Sequence, residues 1–421
     1  LKTFTTWRGI MLFKKLTLAV ITLPTFIGGL SFATPTEQPI AAIAGSTKIL
    51  ADTIFLKSLG IKPLMTDSEL ELSVAEVSDY QADNIAHAAH KFGKCGGFER
   101  LQSDSNIGES FNLMRLKKAQ AQAYESIASP AINTEKNPNI EAATQQVSVD
   151  NLKANVQWLS SYPNRFYKNT KSTHVDDLAV RIKQMLEGLS YSYQVEIITH
   201  NQIKQKSLKV RLEGKDRPQE IVVLGGHLDS ITGFGGGGNA PGADDNASGS
   251  SNILEALRIL ASQPQPSRTI EFFWYAGEEG GLIGSSEIAQ TYKKSAQNVV
   301  GVMQLDMTLF PGEGELVIGD ITDFTNPWLR NYLKTLNTYY VGAQWKEDKC
   351  GYGCSDHASW HRQGYATVMP FEAGVKTMNK NIHTAQDTVT PQLSFPHSVA
   401  FTKLAVAFAM DLGNSQLKPS F

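Results

Sequence analysis

Two short polar stretches near the middle of the chain carry a histidine and several acids directly after an apolar run. The stretch "GGHLDS" places His227 and Asp229 after "EIVVL", and "PGADDNASG" then supplies Asp244 and Asp245. A histidine with carboxylates, and no cysteine pair among them, suits zinc or another divalent ion. The pattern predicts a metal site whose remaining ligands come from elsewhere in the chain.

Further acids stand at the ends of two other apolar runs. "TIEFFWYA" leads into Glu278 and Glu279, and "VVGVMQL" leads into Asp306. Ligands of an open α/β sheet bind outside the carboxyl ends of its strands. These acids are therefore expected on the same rim as His227, which ends its own strand-like run.

So many acids indicate two ions rather than one. Two divalent cations a few ångströms apart repel each other and need a carboxylate between them. The Asp244-Asp245 pair, in a glycine-rich turn before a helix, can provide that bridge. His383 in "NIHTAQDT" offers the further imidazole that a second ion needs.

The elements that must position these residues alternate between strands and helices from about residue 150 onward. Strand-like runs are predicted at 193–199, 207–214, 220–227, 269–276, 299–307, 315–320 and 366–373. Helical patterns cover 173–189, 246–262, 326–340 and 397–413. Strands that are apolar on both faces and alternate with helices predict a single α/β catalytic domain. Its central sheet is expected to be mixed but mostly parallel, flanked by helices, with antiparallel strands at one edge.

The chain before this domain has a different character. Residues 1–33 contain an N-terminal extension and the order of a secretory signal peptide: Lys14 and Lys15, an apolar run, and small residues up to Ala33. Residues 34–135 show no strand–helix alternation and predict a propeptide region, leaving 136–421 as the catalytic domain. We therefore expect a secreted zymogen without stable membrane association after cleavage. A net charge of -2 also argues against a nucleic-acid partner.

Three cysteines fit an exported protein. Cys350 and Cys354 in "CGYGC" can bridge across a tight turn, and an oxidising destination favours this disulfide over a metal or redox site. Cys95 is left unpaired. Its thiolate could cap a metal ion until the propeptide is removed, although an unpaired thiol in a removable segment is the simpler interpretation.

The region 150–415 resembles a known family, the secreted bacterial leucyl aminopeptidases. These are dizinc exopeptidases whose wider family includes glutaminyl cyclases and glutamate carboxypeptidases. The resemblance rests on seven motifs in family order: "GGHLDS", "APGADDNASG", "YAGEEGGLIGS", "MQLDMT", "CGYGCSDHASWH", "MPFEA" and "IHTAQDT". One departure is Gly277, which stands where the family commonly has alanine before the two acids.

The resemblance implies two Zn²⁺ ions per subunit and a role for each ligand. His227 and Asp306 would hold one zinc, and Glu279 and His383 the other. Asp245 would bridge the two ions. These five residues are the expected metal ligands.

Three further residues carry catalytic roles in the family pattern. Glu278 would be the general base for the water that two zinc ions activate, Asp229 would orient His227 through its other ring nitrogen, and Tyr352 would help stabilise the tetrahedral intermediate. An apolar pocket for the N-terminal side chain is expected from Met307, Ile321, Tyr352, Met369 and Phe371. The resemblance implies a monomeric hydrolase. Its expected activity is that of a zinc-dependent leucyl aminopeptidase acting on peptides with free apolar N-terminal residues.

Two other functions remain open on the same scaffold. A glutaminyl cyclase-like acyltransferase would use a single zinc, and a catalytically inactive binding protein would lack a ligand or the base. "SDHASW" places Ser355, Asp356 and His357 side by side, but a catalytic triad is assembled in space rather than along neighbours. We expect Ser355 to be a helix N-cap instead.

Overall fold

A computed structural model describes residues 45–89, 96–101, 107–108, 111–112, 114–115, 136–233 and 238–416. These residues all belong to one compact unit, Ala44–Phe421. The predicted signal peptide and Cys95 lie outside the described residues. Among the helices within them, none has the length and apolar character needed to span a lipid bilayer.

The described residues between 45 and 115 include a small antiparallel sheet and helices; we call them the N-terminal segment. Its elements are β1 (Ser46–Asp52), α1 (Thr53–Ser58), β2 (Met65–Asp67), β3 (Leu72–Ser78), α2 (Asp79–Ala89) and β4 (Phe98–Leu101). The strand order is β2-β3-β1-β4. Residues 107–108, 111–112 and 114–115 are helical. The sequence pattern predicted no strand–helix alternation in this region.

A six-stranded mixed sheet forms the centre of the fold, as predicted. Its strands are β5 (Tyr193–Ile198), β6 (Ser207–Leu212), β7 (Arg217–His227), β8 (Arg268–Tyr275), β9 (Asn298–Gln304) and β12 (Thr367–Val368), in the order β12-β9-β7-β8-β6-β5. The four strands β12, β9, β7 and β8 are parallel, whereas β6 and β5 are antiparallel at one edge. Every residue of β8 is buried, as is typical of a central strand that is covered on both faces.

Two of the predicted strands lie partly or wholly outside this sheet. A separate three-stranded sheet contains β10 (Val317–Ile321), β11 (Gln344–Asp348) and β13 (Pro370–Phe371), with β10 in the middle. The run predicted at 366–373 therefore divides, because β12 pairs with β9 and β13 pairs with β10.

Helices cover both faces of the central sheet. They are α3 (Pro138–Thr144), α4 (Val149–Leu159), α5 (His174–Met185), α6 (Ala247–Ala261), α7 (Ile283–Lys294), α8 (Pro327–Tyr340), α9 (His357–Arg362) and α10 (Phe395–Asn414). Helices α6 and α10 pack on each other and on β7 and β8, within the large core that also includes α3, α4, α5 and α8. On the opposite face, α7 and α9 pack over Phe273 and Tyr275. This architecture confirms the predicted α/β fold.

Candidate metal centre

The carboxyl ends of three neighbouring parallel strands meet at one rim of the central sheet. Strand β7 ends at His227, which lies opposite Tyr275 of β8, and Glu278 follows three residues later. On the other side, Gly225 of β7 lies opposite Gln304 of β9, so that Asp306 comes level with His227. The strand register thus gathers residues that are far apart in sequence.

The turn between β7 and α6 brings Asp245 to the same rim. The side chain of Asn246 caps α6 by accepting the backbone N–H of Gly249 at 2.8 Å. The carboxylate of Asp387 accepts the backbone N–H groups of Asp244 and Asp245, each at 3.0 Å. The turn is therefore held from both sides, by its own helix and by the loop that carries His383.

Two buried groups of metal-binding residues share Asp245. His227, Asp245 and Asp306 form one group, and Asp245, Glu279 and His383 form the other; within each group the ligand atoms lie within 4.8 Å of one another. The Nε2 atom of His227 lies 3.1 Å from Asp245 Oδ1 and 3.2 Å from Asp306 Oδ1. All five residues expected as ligands from the sequence are brought together.

The second group mirrors the first across the Asp245 carboxylate. The Nε2 atom of His383 lies 3.1 Å from Asp245 Oδ2 and 3.0 Å from Glu279 Oε2. A neutral imidazole nitrogen carries one proton and can satisfy only one of two such oxygens, whereas a divalent ion is coordinated by a nitrogen and several oxygens together. The donor set fits two zinc-type ions joined by one carboxylate.

Glu278 lies beside these groups but belongs to neither. Its side chain is buried, and among the described residues its Oε2 atom has no hydrogen-bond partner. The carboxylate of Asp229 accepts the backbone N–H of Glu278 at 3.1 Å and that of Glu279 at 3.2 Å. Asp229 thereby fixes the turn from which both acidic side chains emerge, residues 277–281, which we call the acidic turn.

The contact between Asp229 and His227 is made differently from the expected one. Nδ1 of His227 lies 3.2 Å from the backbone carbonyl of Asp229 and 3.6 Å from its carboxylate. A donor distance of 3.6 Å is too long for a hydrogen bond. The peptide carbonyl is therefore the nearer orienting partner, and the carboxylate faces the backbone of the acidic turn.

Burial dominates the electrostatics of the acids at this rim. Burial raises the pKa of Glu278 well above its ordinary value and that of Glu279 to about 7. Burial acts in the same direction on Asp245, but His227 and His383 hold its pKa below the ordinary value. Unlike Glu278 and Glu279, Asp245 is therefore kept ionised by its two histidine neighbours.

Gly277, the departure from the family pattern, has a conformational reason in this chain. Its φ is +65°, and a Cβ atom there would lie 2.7 Å from Ile203 Cδ1. Positive φ strains any residue with a Cβ atom. Glycine therefore relieves both the backbone and the contact without changing the acids that follow.

The five residues expected to line a pocket lie in one apolar cluster beside Asp306. We call this set the pocket cluster: Met307, Ile321, Tyr352, Met369 and Phe371. A disulfide joins Cys350 to Cys354, with Cα atoms 6.2 Å apart, as predicted. It closes the short loop that carries Tyr352, which is buried.

The N-terminal segment covers this rim. Leu50, Leu72, Val74 and Phe111 belong to the same apolar cluster as Met307 and its neighbours. The cavity that remains beside Asp306 measures about 10 Å³, roughly the space of one water molecule. Apolar side chains of the chain itself therefore fill most of the space beside Asp306.

Polar contacts of the N-terminal segment reach the acidic turn as well. A Cβ atom on Gly96 would lie 3.9 Å from Glu278 Oε2. Arg100 donates its Nε–H to the carbonyl of Gly280 at 2.6 Å and its backbone N–H to that of Gly281 at 3.0 Å. Glu99 is buried and forms an ion pair with Arg362.

Sequence patterns missed several residues that support the site. The hydroxyl of Ser355 donates to Asp306 Oδ2 at 2.6 Å, so the expected N-cap role is wrong; Asp356 occupies the N-cap of α9 instead. Asp387 stands within the quoted motif "IHTAQDT", which was the only signal for it. Arg165 lies in a polar loop whose sequence gave no signal.

Comparison with known proteins agrees with this arrangement. The model of peptidase family M28 matches residues 208–408. A probable leucine aminopeptidase of Arthroderma benhamiae is 37% identical over 290 residues, which are 68% of this chain and 79% of that protein. Leucine aminopeptidase 1 of Aspergillus fumigatus is 36% identical over 289 residues, covering 65% of this chain and 73% of that protein.

Among solved structures, the LapA aminopeptidase of Legionella pneumophila superposes with a TM-score of 0.74 and 26% sequence identity. The superposition covers 88% of this chain and 99% of that chain. It therefore includes more than the region that the family model matches. Similarity of sequence, fold and buried ligand groups gives one answer: the chain belongs to peptidase family M28.

Proposed function

We propose that this chain is a secreted dizinc aminopeptidase that removes leucine and other apolar residues from peptide N-termini. The observation that carries the proposal is the pair of buried ligand groups that share Asp245 beside an apolar pocket. The relatives named leucine aminopeptidases support the choice of substrate.

The ligand roles follow from the two groups. His227 and Asp306 would hold one zinc, Glu279 and His383 would hold the other, and Asp245 would bridge them. Two zinc ions held by these residues would supply Lewis acidity toward the scissile carbonyl and would lower the pKa of the attacking water.

Glu278 is assigned the role of general base. Its carboxylate lies beside the ligand groups. Its backbone N–H donates to the carboxylate of Asp229, and this hydrogen bond sets its position. Oε2 would take a proton from the attacking water and later return it to the leaving amine. Because burial raises its pKa, the carboxylate holds that proton more readily than an exposed one.

The pocket cluster is assigned to the side chain of the N-terminal residue. Its lining is two methionines, an isoleucine and two aromatic residues, so leucine-like side chains fit and charged ones lose their hydration without a partner. Tyr352 would point its hydroxyl toward the developing oxyanion, in a loop that the disulfide Cys350–Cys354 restrains.

We infer that the N-terminal segment is an inhibitory propeptide. Phe111, Leu50 and Leu72 occupy the apolar cluster that a substrate side chain would enter, and Gly96 lies over Glu278. The residues between 115 and 136 connect this segment to α3 and are where we place processing. The preceding residues 1–33 would direct export before that step.

Hydrolysis of leucine p-nitroanilide tests the proposal. The intact and the processed chain are assayed before chelation, after chelation and after zinc is added back, with Glu278→Ala as the inactive control. Activity that appears on processing, disappears with the metal and returns with zinc supports the assignment. Zinc binding without hydrolysis of any aminoacyl substrate would instead favour a cyclase or an inactive scaffold.

A further inference from the structure

Arg165 is a buried arginine in the loop between α4 and α5, and its guanidinium meets only backbone carbonyl groups among its described hydrogen-bond partners. It donates to the carbonyls of Leu159, Leu228 and Gly242, each at 2.9 Å, and to that of Pro241. Its side chain has no exposed surface. A buried charge without a directly bonded carboxylate is unusual and needs an explanation.

Three of the four carbonyls that Arg165 binds, those of Leu228, Pro241 and Gly242, belong to two loops of the candidate metal centre, and the fourth is at the end of α4. Leu228 stands between His227 and Asp229, and Gly242 begins the turn that leads to Asp245. One rigid planar group therefore connects the loop that follows His227 to the loop that carries Asp245. A guanidinium offers five donors in a fixed plane, which a lysine ammonium cannot reproduce.

Neighbouring contacts strengthen the same connection. The hydroxyl of Ser230 accepts the backbone N–H of Arg165 at 3.3 Å and donates to the carbonyl of Ala240 at 2.7 Å. Gln205 donates to the carbonyl of Arg165 at 2.9 Å and accepts the N–H of Gly277 at 3.0 Å. Residue 165 thus contacts the loop after β7 directly, contacts the Asp245 turn directly, and is linked to the acidic turn through Gln205.

The charge of Arg165 is offset by acids that it does not touch. Burial lowers the pKa of Arg165 to about 10, while Asp387, Asp229, Asp245 and Glu279 act to raise it. The guanidinium is therefore charged at neutral pH. A cation here reduces the mutual repulsion of carboxylates that must lie close enough together to share two metal ions.

We propose that Arg165 is a positioning residue that sets the separation of the His227 and Asp245 loops and so determines zinc affinity. The proposal rests on the dizinc centre proposed above. It predicts that replacing the guanidinium of Arg165 by the single ammonium of lysine loosens both loops and weakens zinc binding.

The test compares Arg165→Lys with a second buried arginine. Arg268 is equally buried, pairs with Glu220 and binds backbone carbonyls, but it begins β8 at the end of the sheet remote from the ligands. Zinc affinity of the intact chain is measured by competition with a chelator, and melting is followed with and without zinc. Arg165→Lys should bind zinc about 10- to 100-fold more weakly, the range seen when an outer-sphere support is removed.

The control and a milder variant keep the test decisive. Arg268→Lys should lower the melting temperature of the chelated protein while leaving zinc affinity within about twofold of wild type. Should Arg165→Lys fail to fold, Ser230→Ala removes one connection between the same loops and should lower zinc affinity several-fold. Wild-type zinc affinity in the Arg165 and Ser230 variants, or an equal loss in Arg268→Lys, overturns the positioning role. Failure of the wild-type chain to bind two zinc ions overturns the dizinc centre itself.

Discussion

The carboxylate of Asp229 accepts the backbone N–H of Glu278 at 3.1 Å. This contact crosses from the end of β7 to the end of β8, and its second oxygen does the same for Glu279. One carboxylate thereby holds both amide groups of the turn that carries the two acids. A ligand and a general base can therefore be adjacent in sequence and distinct in role.

Replacing Asp229 tests that relationship. Asp229→Ala leaves two buried amide donors without an acceptor, and the turn is expected to shift. We expect kcat for leucine p-nitroanilide to fall about 10- to 100-fold, with Asp229→Asn between this variant and wild type because one oxygen remains. An unchanged kcat in Asp229→Ala, with bound zinc intact, would contradict the positioning of Glu278 by this contact.

Alanine substitutions at the two adjacent acids should separate catalysis from metal binding. Glu278→Ala removes the proposed base and is expected to lower kcat about 10²- to 10⁴-fold while two zinc ions remain bound. Glu279→Ala removes a ligand and should lower the zinc content toward one ion per chain. Zinc content is measured by atomic absorption on dialysed protein. Loss of zinc in the first variant but not in the second would reverse the two assignments.

Removal of the metal should make stability depend on pH. Burial raises the pKa of Glu279 to about 7 and that of Asp387 to about 8, above their ordinary values of 4.5 and 3.8. At pH values between the ordinary and the raised pKa of each acid, the folded chelated protein binds more protons than the unfolded chain. Its stability therefore falls as pH rises through that window. Melting temperatures in chelator at pH 5.5 and pH 8 check the sign. A higher melting temperature at pH 8 would refute it.

The unprocessed chain should gain activity when the N-terminal segment is loosened. Phe111→Ala removes a buried aromatic group of the N-terminal segment from the apolar cluster that includes the pocket cluster, and we expect severalfold faster hydrolysis of leucine p-nitroanilide by the uncut chain. Tyr80→Ala is the matched control, because Tyr80 is 68% exposed on α2 of the same segment. Equal rates in the two variants would argue against occlusion by Phe111.

The ligand set was predictable because parallel strands end at one rim and their last residues are chemically distinctive. His227, Glu279 and Asp306 each follow an apolar run, and the strand register places them together. The N-terminal sheet was not predictable in this way. Strand β3 buries Ser73 and Ala75 among its apolar residues, so that its sequence shows no clear alternation of polar and apolar positions.

Support for the site was also hidden from sequence patterns. Arg165 reads as a surface residue within "SYPNRFYKNT", yet it is buried because its partners are peptide carbonyls. Carbonyl groups are present at every residue and carry no signature of their own. Ser355 escaped for a similar reason, since a hydroxyl before a short helix predicts a cap equally well.

The two ends of the central strands carry different kinds of residues. At one end, β7, β8 and β9 lead into the proposed ligands and the proposed base, whereas the start of β8 is bound through Arg268 to Glu220 and to the end of α10. These ends lie roughly 23 Å apart, because the eight residues of β8 span seven steps of about 3.3 Å each. Changes that strengthen the remote end can accumulate without disturbing the chemistry, so this scaffold can be made more durable and given new substrates by independent routes.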